Sequence, residues 1–222
     1  MSACFSEEKS IVLGYGSYSK IKKSFLNKLI RFETLLTAIQ YFSYAKAGIP
    51  YMGVGRNLGY TSHLYYSTNG FMSHMKIPSG DDDLFVNEAA TSKNTAICFE
   101  EGAFTYSEPK KTWKAWKLQK RRHTSTSSLY KTKDKILLGT YYFFNLLFWI
   151  LSGVCFILLD WKIVLFLFSC RFLIQFIVIG KAASKLKEKS LIPFVPLLEL
   201  FLVFIQMSIF ISNSVSQQTK WN

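Results

Sequence analysis

The sequence predicts an α/β N-terminal part followed by an α-helical transmembrane domain, and three observations predict it. Charge is segregated: residues 1–135 hold 20 Lys/Arg and 11 Asp/Glu, a net of +9, whereas residues 136–222 carry a net of only +4 in mostly apolar sequence. Three long apolar stretches fill the second part, at 136–159, 163–180 and 191–212; a hydrocarbon core needs about 20 apolar helical residues to be crossed. The first 135 residues instead alternate short apolar runs, glycine-bearing turns and segments with helical spacing, the pattern of strands and helices around a core.

In chain order, Ile11, Val12 and Leu13 form a short apolar run ended by Gly14, Tyr15 and Gly16, which reads as a buried strand entering a loop. After the basic Lys20, Lys22 and Lys23, the residues Phe25, Leu29, Phe32, Leu36 and Ile39 recur at helical spacing with Lys28, Arg31 and Glu33 between them. That is an amphipathic helix over 24–44, suited to packing on a core with one basic edge near lipid, or to lying on a membrane surface. Gly48 and Pro50 end it, and Gly53, Gly55 and Gly59 follow without the spacing of a dinucleotide loop. Asp81, Asp82 and Asp83 stand before Leu84, Phe85 and Val86, at a helix start where free N–H groups and the macrodipole favour negative charge. Capping needs one carboxylate, however, and three are present. Residues 95–99 read as a strand and 110–122 as a basic helix carrying Trp113 and Trp116.

The apolar stretches differ in detail. Residues 136–159 hold no charge; Asp160, Trp161 and Lys162 make a turn; 163–180 is interrupted only by Arg171; 181–190 is a polar loop with four lysines. The third stretch has Pro193, Pro196 and Glu199 in its first half, so it either spans or begins as a kinked interfacial segment, and a polar tail, 213–222, follows. A mid-span Arg171 is costly unless paired; Glu199 is a candidate partner, as is lipid phosphate. Lysine and arginine concentrate in 110–135 and in the 181–190 loop, so the positive-inside rule puts residues 1–135 and that loop in the cytoplasm, with a bacterial inner membrane as the expected location. The +13 total is accounted for by this asymmetry, and nucleic acid is not an expected partner. Cys4, Cys98, Cys155 and Cys170 have neither disulfide-framework nor zinc spacing. Residues 1–10 carry Glu7 and Glu8 and no apolar run, so no signal peptide is expected there.

Taken together, the acidic cluster, the basic Trp-bearing helix and the apolar stretches resemble the membrane-bound members of glycosyltransferase family 2. The pattern of that family is an early Asp, a D-x-D, a later [GT]-[ED]-D, and Q-x-x-R-W just before the membrane helices. Gly80-Asp81-Asp82 matches the third element, and Gln119-Lys120-Arg121-Arg122-His123 matches the fourth with His123 in the place of Trp. The segment 53–60, with Arg56 and Asn57, resembles the stretch these enzymes carry near the acceptor site. The resemblance covers residues 11–123 and implies a partial GT-A-type catalytic domain, its acceptor side, over 1–135, with transmembrane helices over 136–212. It implies inverting sugar transfer from a nucleotide-sugar donor to a membrane-proximal glycan or lipid-linked acceptor. Asp82 would be the catalytic base flanked by Asp81 and Asp83, and Gln119, Arg122, His123, Arg56 and Asn57 would contact substrates. The family's divalent cation, Mg or Mn, would belong to the complete enzyme: no D-x-D precedes the acidic cluster, where the acids are only Glu7, Glu8 and Glu33. The expectation is therefore a fragment lacking the donor-binding half, with a non-catalytic membrane-anchored module as the alternative.

Overall fold

The computed structural model describes residues 1–77 and 79–215; the tail beyond 215, the larger part of the expected polar segment, lies outside the described residues. Strand β1 (Ile11–Gly14) is the buried run expected from the sequence, and its four residues are almost fully enclosed. It pairs antiparallel with β3 (Leu58–Tyr60) and parallel with β4 (Thr95–Cys98), giving the order β3-β1-β4. A second pair is parallel, β2 (Gly16–Tyr18) with β5 (Thr105–Ser107). The sheets are small and the chain is mostly helical, so the expected α/β character is confined to a thin layer.

Helix α1 (Phe25–Lys46) starts at Ser24, whose hydroxyl accepts the Asn27 N–H at 3.1 Å. One face buries Leu29, Phe32, Leu35, Ala38 and Tyr41, and the Tyr41 hydroxyl donates to the Gly14 carbonyl at 2.7 Å, fixing α1 to the end of β1. After a short helix α2 (Ser62–Ser67), helix α3 (Asp83–Ala89) adds Leu84, Phe85 and Val86 to the same core. Helix α4 (Trp113–Thr126) begins three residues later than the basic run suggests, because the Thr112 side chain caps it by accepting the Ala115 N–H.

Among the described residues three helices are long and apolar enough to cross a membrane: α5 (Thr132–Leu158), α6 (Trp161–Lys185) and the stretch Lys189–Val215, whose first six residues are a 3-10 segment around Pro193 and whose remainder is α7 (Val195–Val215). The start of α5 is tied to α3, since the Asn87 amide donates to Asp134 at 2.9 Å and its carbonyl oxygen accepts the Lys131 N–H. Helices α5 and α6 form an antiparallel hairpin whose distal half is largely exposed, at Ile157, Leu158, Phe166 and Leu167, although Val164 is buried. Arg171 is paired. Its guanidinium meets both Glu199 oxygens, at 2.9 and 3.0 Å, donates to Asn145 at 2.8 Å and lies over the Phe148 ring.

Helix α7 packs on α4, α1 and α5, where the Tyr142 hydroxyl donates to the Val203 carbonyl at 3.1 Å, and its Glu199 meets Arg171 and Gln175 of α6. Arg121 on α4 donates to the Ser212 carbonyl and to the Asn213 side chain, both at 3.1 Å, and the Asn213 amide donates back to the Arg121 carbonyl. At the other end, Arg31 on α1 pairs with Glu188 in the α6–α7 connection and donates to Ser190, while Ser17 of β2 donates to Glu188 at 2.9 Å. The α6–α7 connection thus packs against the N-terminal part.

Candidate functional site

The acidic cluster sits where Gly80 turns the chain into α3. Gly80 has φ +111, and a Cβ there would stand 2.4 Å from Leu84 Cδ1, so a side chain at this position collides whatever its nature. The turn sends the three carboxylates in different directions. Asp81 is exposed. Asp82 caps α3, accepting the Asp83 N–H at 2.8 Å and, across the site, the Gly55 N–H at 2.7 Å. The fit at Gly55 is close: a Cβ would lie 3.1 Å from the Asp82 oxygen, so a side chain there would press on the Asp82 carboxylate. Asp83 points inward, is buried, and accepts from the hydroxyls of Tyr130 and Thr126 and from the Leu84 N–H. It braces α3 against the end of α4. Burial pushes the Asp83 carboxyl above its ordinary value, against the pull of those donors.

The other two motifs converge here. Arg56 donates to the Ser17 carbonyl at 3.0 Å and lies over the Tyr18 ring at 3.9 Å. Gln119 on α4 reaches the Tyr18 hydroxyl at 3.5 Å, so Tyr18 stands between the glycine loop and α4. His123 is exposed on the same side of α4. Exclusion of water by its surroundings, then the positive charges of Lys120, Arg122 and Arg56, push its imidazole down to about 4, with Asp81 acting the other way. The ring is neutral at pH 7. Lys120 also pairs with Glu33 of α1 at 2.9 Å.

Of the residues the sequence points to, Asp81, Asp82, Arg56, Gln119, Arg122 and His123 therefore gather at the junction of the glycine loop, α3 and α4. Two do not fit their expected parts. Asp83 is turned into the core. Asn57 is buried, its amide donating to the Tyr15 and Ala103 carbonyls at 2.9 and 2.7 Å, and it occupies the space over Gly14, where a Cβ would stand 2.5 Å from Asn57 Cγ. Both hold the scaffold rather than face a substrate. Sequence reading missed Tyr18, whose ring carries Arg56 and whose hydroxyl meets Gln119, because it lies over 30 residues from the one and about 100 from the other in a three-residue strand. It likewise missed Thr126 and Tyr130, which hold Asp83.

Asp82 keeps accepting capacity beyond its two N–H partners, since a carboxylate offers roughly four lone-pair positions. It can take a hydroxyl proton, and the nearby guanidinium and ammonium groups can meet a developing phosphate charge. A divalent cation wants several oxygen ligands. With Asp83 directed to Tyr130 and Thr126 and Asp82 held by two backbone N–H groups, the cluster does not fit one. Among the described residues no group of three or more His, Cys, Asp and Glu is placed to hold a metal. No protein-family model, curated protein or solved structure matches this chain.

Proposed function

We propose that the chain forms the acceptor side of a membrane-bound inverting glycosyltransferase, similar to family 2, which moves a sugar from a nucleotide-sugar donor to a glycan or lipid-linked acceptor at the membrane. Asp82 is the base that takes the acceptor hydroxyl's proton; Arg56 and Arg122 face the diphosphate; Gln119 and His123 contact the sugar or acceptor. The observation that carries this reading is the convergence of three motifs far apart in sequence: Gly55 bonds Asp82 across 27 residues, and Arg56 and Gln119 meet on Tyr18. The partial GT-A-type character of the sheet layer, the cation contributed by the complete enzyme and the cytoplasmic orientation in a bacterial inner membrane belong to the same proposal. The packing of Glu188 against Arg31 supports a common side for residues 1–135 and the α6–α7 connection. Neutral His123, where a tryptophan would stack on sugar, favours a hydrogen-bonded acceptor over a long processive product.

The test is a transfer assay in membranes holding the complete enzyme, with Mn or Mg and a panel of labelled nucleotide sugars. Asp82→Asn keeps a hydrogen-bond acceptor at the cap but not the base, and should lower turnover by about 10²–10⁴-fold with an unchanged circular-dichroism spectrum. Normal turnover in Asp82→Asn would leave Asp82 as a helix cap alone. The second reading, a non-catalytic membrane module, would then stand, favoured by the two backbone N–H groups that Asp82 already satisfies.

A further inference from the structure

We propose that the turn before α1 and the connection after α6 form one docking surface for the anionic headgroups of the bilayer, built from lysines far apart in sequence. The proposal rests on α6 crossing the bilayer and is independent of sugar transfer.

Two lysine runs are brought together. Lys20, Lys22 and Lys23 precede α1, while Lys185 ends α6 and Lys187 and Lys189 follow it. All six side chains are exposed. The Lys20 ammonium donates to the Lys187 carbonyl at 3.3 Å, so the runs meet edge to edge across 167 residues. Their meeting is fixed from beneath, where Ser17 and Arg31 hold the buried Glu188. That carboxylate is neutralised by Arg31 and subtracts nothing from the surface. Glu101 stands at the rim, 2.8 Å from Lys187, but both groups are exposed and water screens the pair. The result is a concentrated positive patch.

Its depth suits a headgroup layer. The apolar run of α6 ends at Gly180. Lys185 comes five residues later, about 7–8 Å along the helix axis, and the headgroup layer on each side of the hydrocarbon is about 5–7 Å thick. The hydrogen bond from Lys20 to Lys187 brings the other lysine run to the same level. Ile21, 36% exposed between Lys20 and Lys22, offers an apolar contact to the acyl boundary. Lys28 lies over the Phe194 ring at 3.6 Å and carries the basic edge towards the next apolar helix. Anionic lipid attracts a cluster of this kind.

The backbone gives an independent reason. Among the described residues, three that are not glycine have left-handed backbones: Lys23, Asn69 and Lys187, at φ 59, 58 and 60. Asparagine tolerates that region, whereas lysine pays a steric cost that glycine avoids. Lys187 stands just past the last turn of α6, where the Glu188 N–H returns to the Ala183 carbonyl at 2.7 Å. Helices commonly give that place to glycine. Both left-handed lysines fall within the patch. What lysine adds over glycine at these two turns is an exposed cation.

The test uses the full chain in dodecyl maltoside micelles that hold phosphatidylcholine, with phosphatidylglycerol replacing it stepwise at constant total lipid. The melting temperature should rise and saturate with phosphatidylglycerol, as it does for a ligand of the folded state. The rise should shrink in about 0.5 M sodium chloride, which screens exposed charges. The triple variant Lys23→Gly, Lys187→Gly and Lys189→Gln should melt no lower than the parent in phosphatidylcholine. It should need about tenfold or more phosphatidylglycerol for half the effect. A control, Lys46→Gln with Lys76→Gln and Lys93→Gln, removes the same charge from exposed lysines elsewhere and should stay within about twofold of the parent. An equal loss in the control would mean that net charge alone is at work and would overturn the proposal. So would the absence of any rise beyond phosphatidylcholine, or a triple variant that melts lower there yet keeps the parent's midpoint. Inorganic phosphate matching phosphatidylglycerol would point to a free anion instead of a lipid surface. Stronger stabilisation by a short DNA duplex would give the patch to nucleic acid. Either result would also overturn it.

Discussion

At the scale of single residues, the two titrating groups of the site act on stability in opposite senses. Asp83 is held above 3.8 by burial, with Asp82 adding to the effect. The folded chain therefore binds this proton more tightly than the unfolded chain does, and its contribution to stability falls as pH rises from 3.8 through the raised value, then levels off. His123 is held at about 4 against an ordinary 6.5. Here the folded chain binds the proton less tightly, so its contribution is present above 6.5 and is lost as pH falls towards 4. Melting temperatures in detergent between pH 3.5 and 7 should show this: Asp83→Asn makes the rise with pH steeper, and His123→Gln flattens it. Asp83→Ala strands the Tyr130 hydroxyl in the core, while the Thr126 hydroxyl keeps the His123 carbonyl at 2.8 Å, and should cost about 1–3 kcal/mol. A neutral Asp83→Ala would mean that the Tyr130 hydroxyl finds another partner. The sequence carried the location of this site better than its division of labour. Three adjacent aspartates announce a place where negative charge is tolerated, but which of them turns inward depends on Thr126 and Tyr130, over 40 residues away.

Among the elements, the turn before α3 is the most exposed to a single change. Gly80→Ala at φ +111 forces a Cβ against Leu84 and should cost about 1–3 kcal/mol, read as a lowered melting temperature; an unchanged value would show that the turn relaxes to negative φ. Helices with strong periodicity or clear caps were legible beforehand. Helix α1 follows its apolar spacing from Phe25 to Lys46, and β1 follows its apolar run. The first two apolar stretches are helices slightly longer than expected, since Thr132–Lys135 and Lys181–Lys185 continue them into charged sequence. Strands β3 and β5 and helix α2 were not legible. Each strand is three residues long, too short for an alternation to show, and β3 contains Gly59, one of the glycines that read as a turn. Their places are set by pairing with β1 and β2 across long sequence separations. Helix α7 shows the limit of hydropathy most plainly, because its composition fits a span while its packing on α4, α1 and α5 cannot be read from hydropathy.

For the molecule as a whole, the decisive connection is the buried pair of Arg31 and Glu188. It joins α1, at the centre of the N-terminal part, to the connection between two apolar helices, with Ser17 and Ser190 completing the polar contacts. Both side chains are almost fully enclosed, 4% and 2% exposed. Such a pair gains little over a well-packed apolar substitute, because each ion has lost its water, but removing one partner leaves a buried charge alone. Glu188→Ala should therefore cost about 3–5 kcal/mol, more than a surface pair such as Lys187 with Glu101, whose loss should be worth at most about 1 kcal/mol. The loss should also be directional. The hairpin α5–α6 keeps its own packing through Arg171 with Asn145 and Phe148 with Phe168, so the N-terminal part should loosen first. Thermal unfolding in detergent followed by intrinsic fluorescence would then divide into two transitions, with early proteolysis between residues 186 and 194. The double change Arg31→Met with Glu188→Leu removes both charges together and should restore one transition. If Glu188→Ala melts as the parent does, in a single step, the two parts are held together elsewhere, with the contact of Arg121 and Asn213 between α4 and α7 as the next to break.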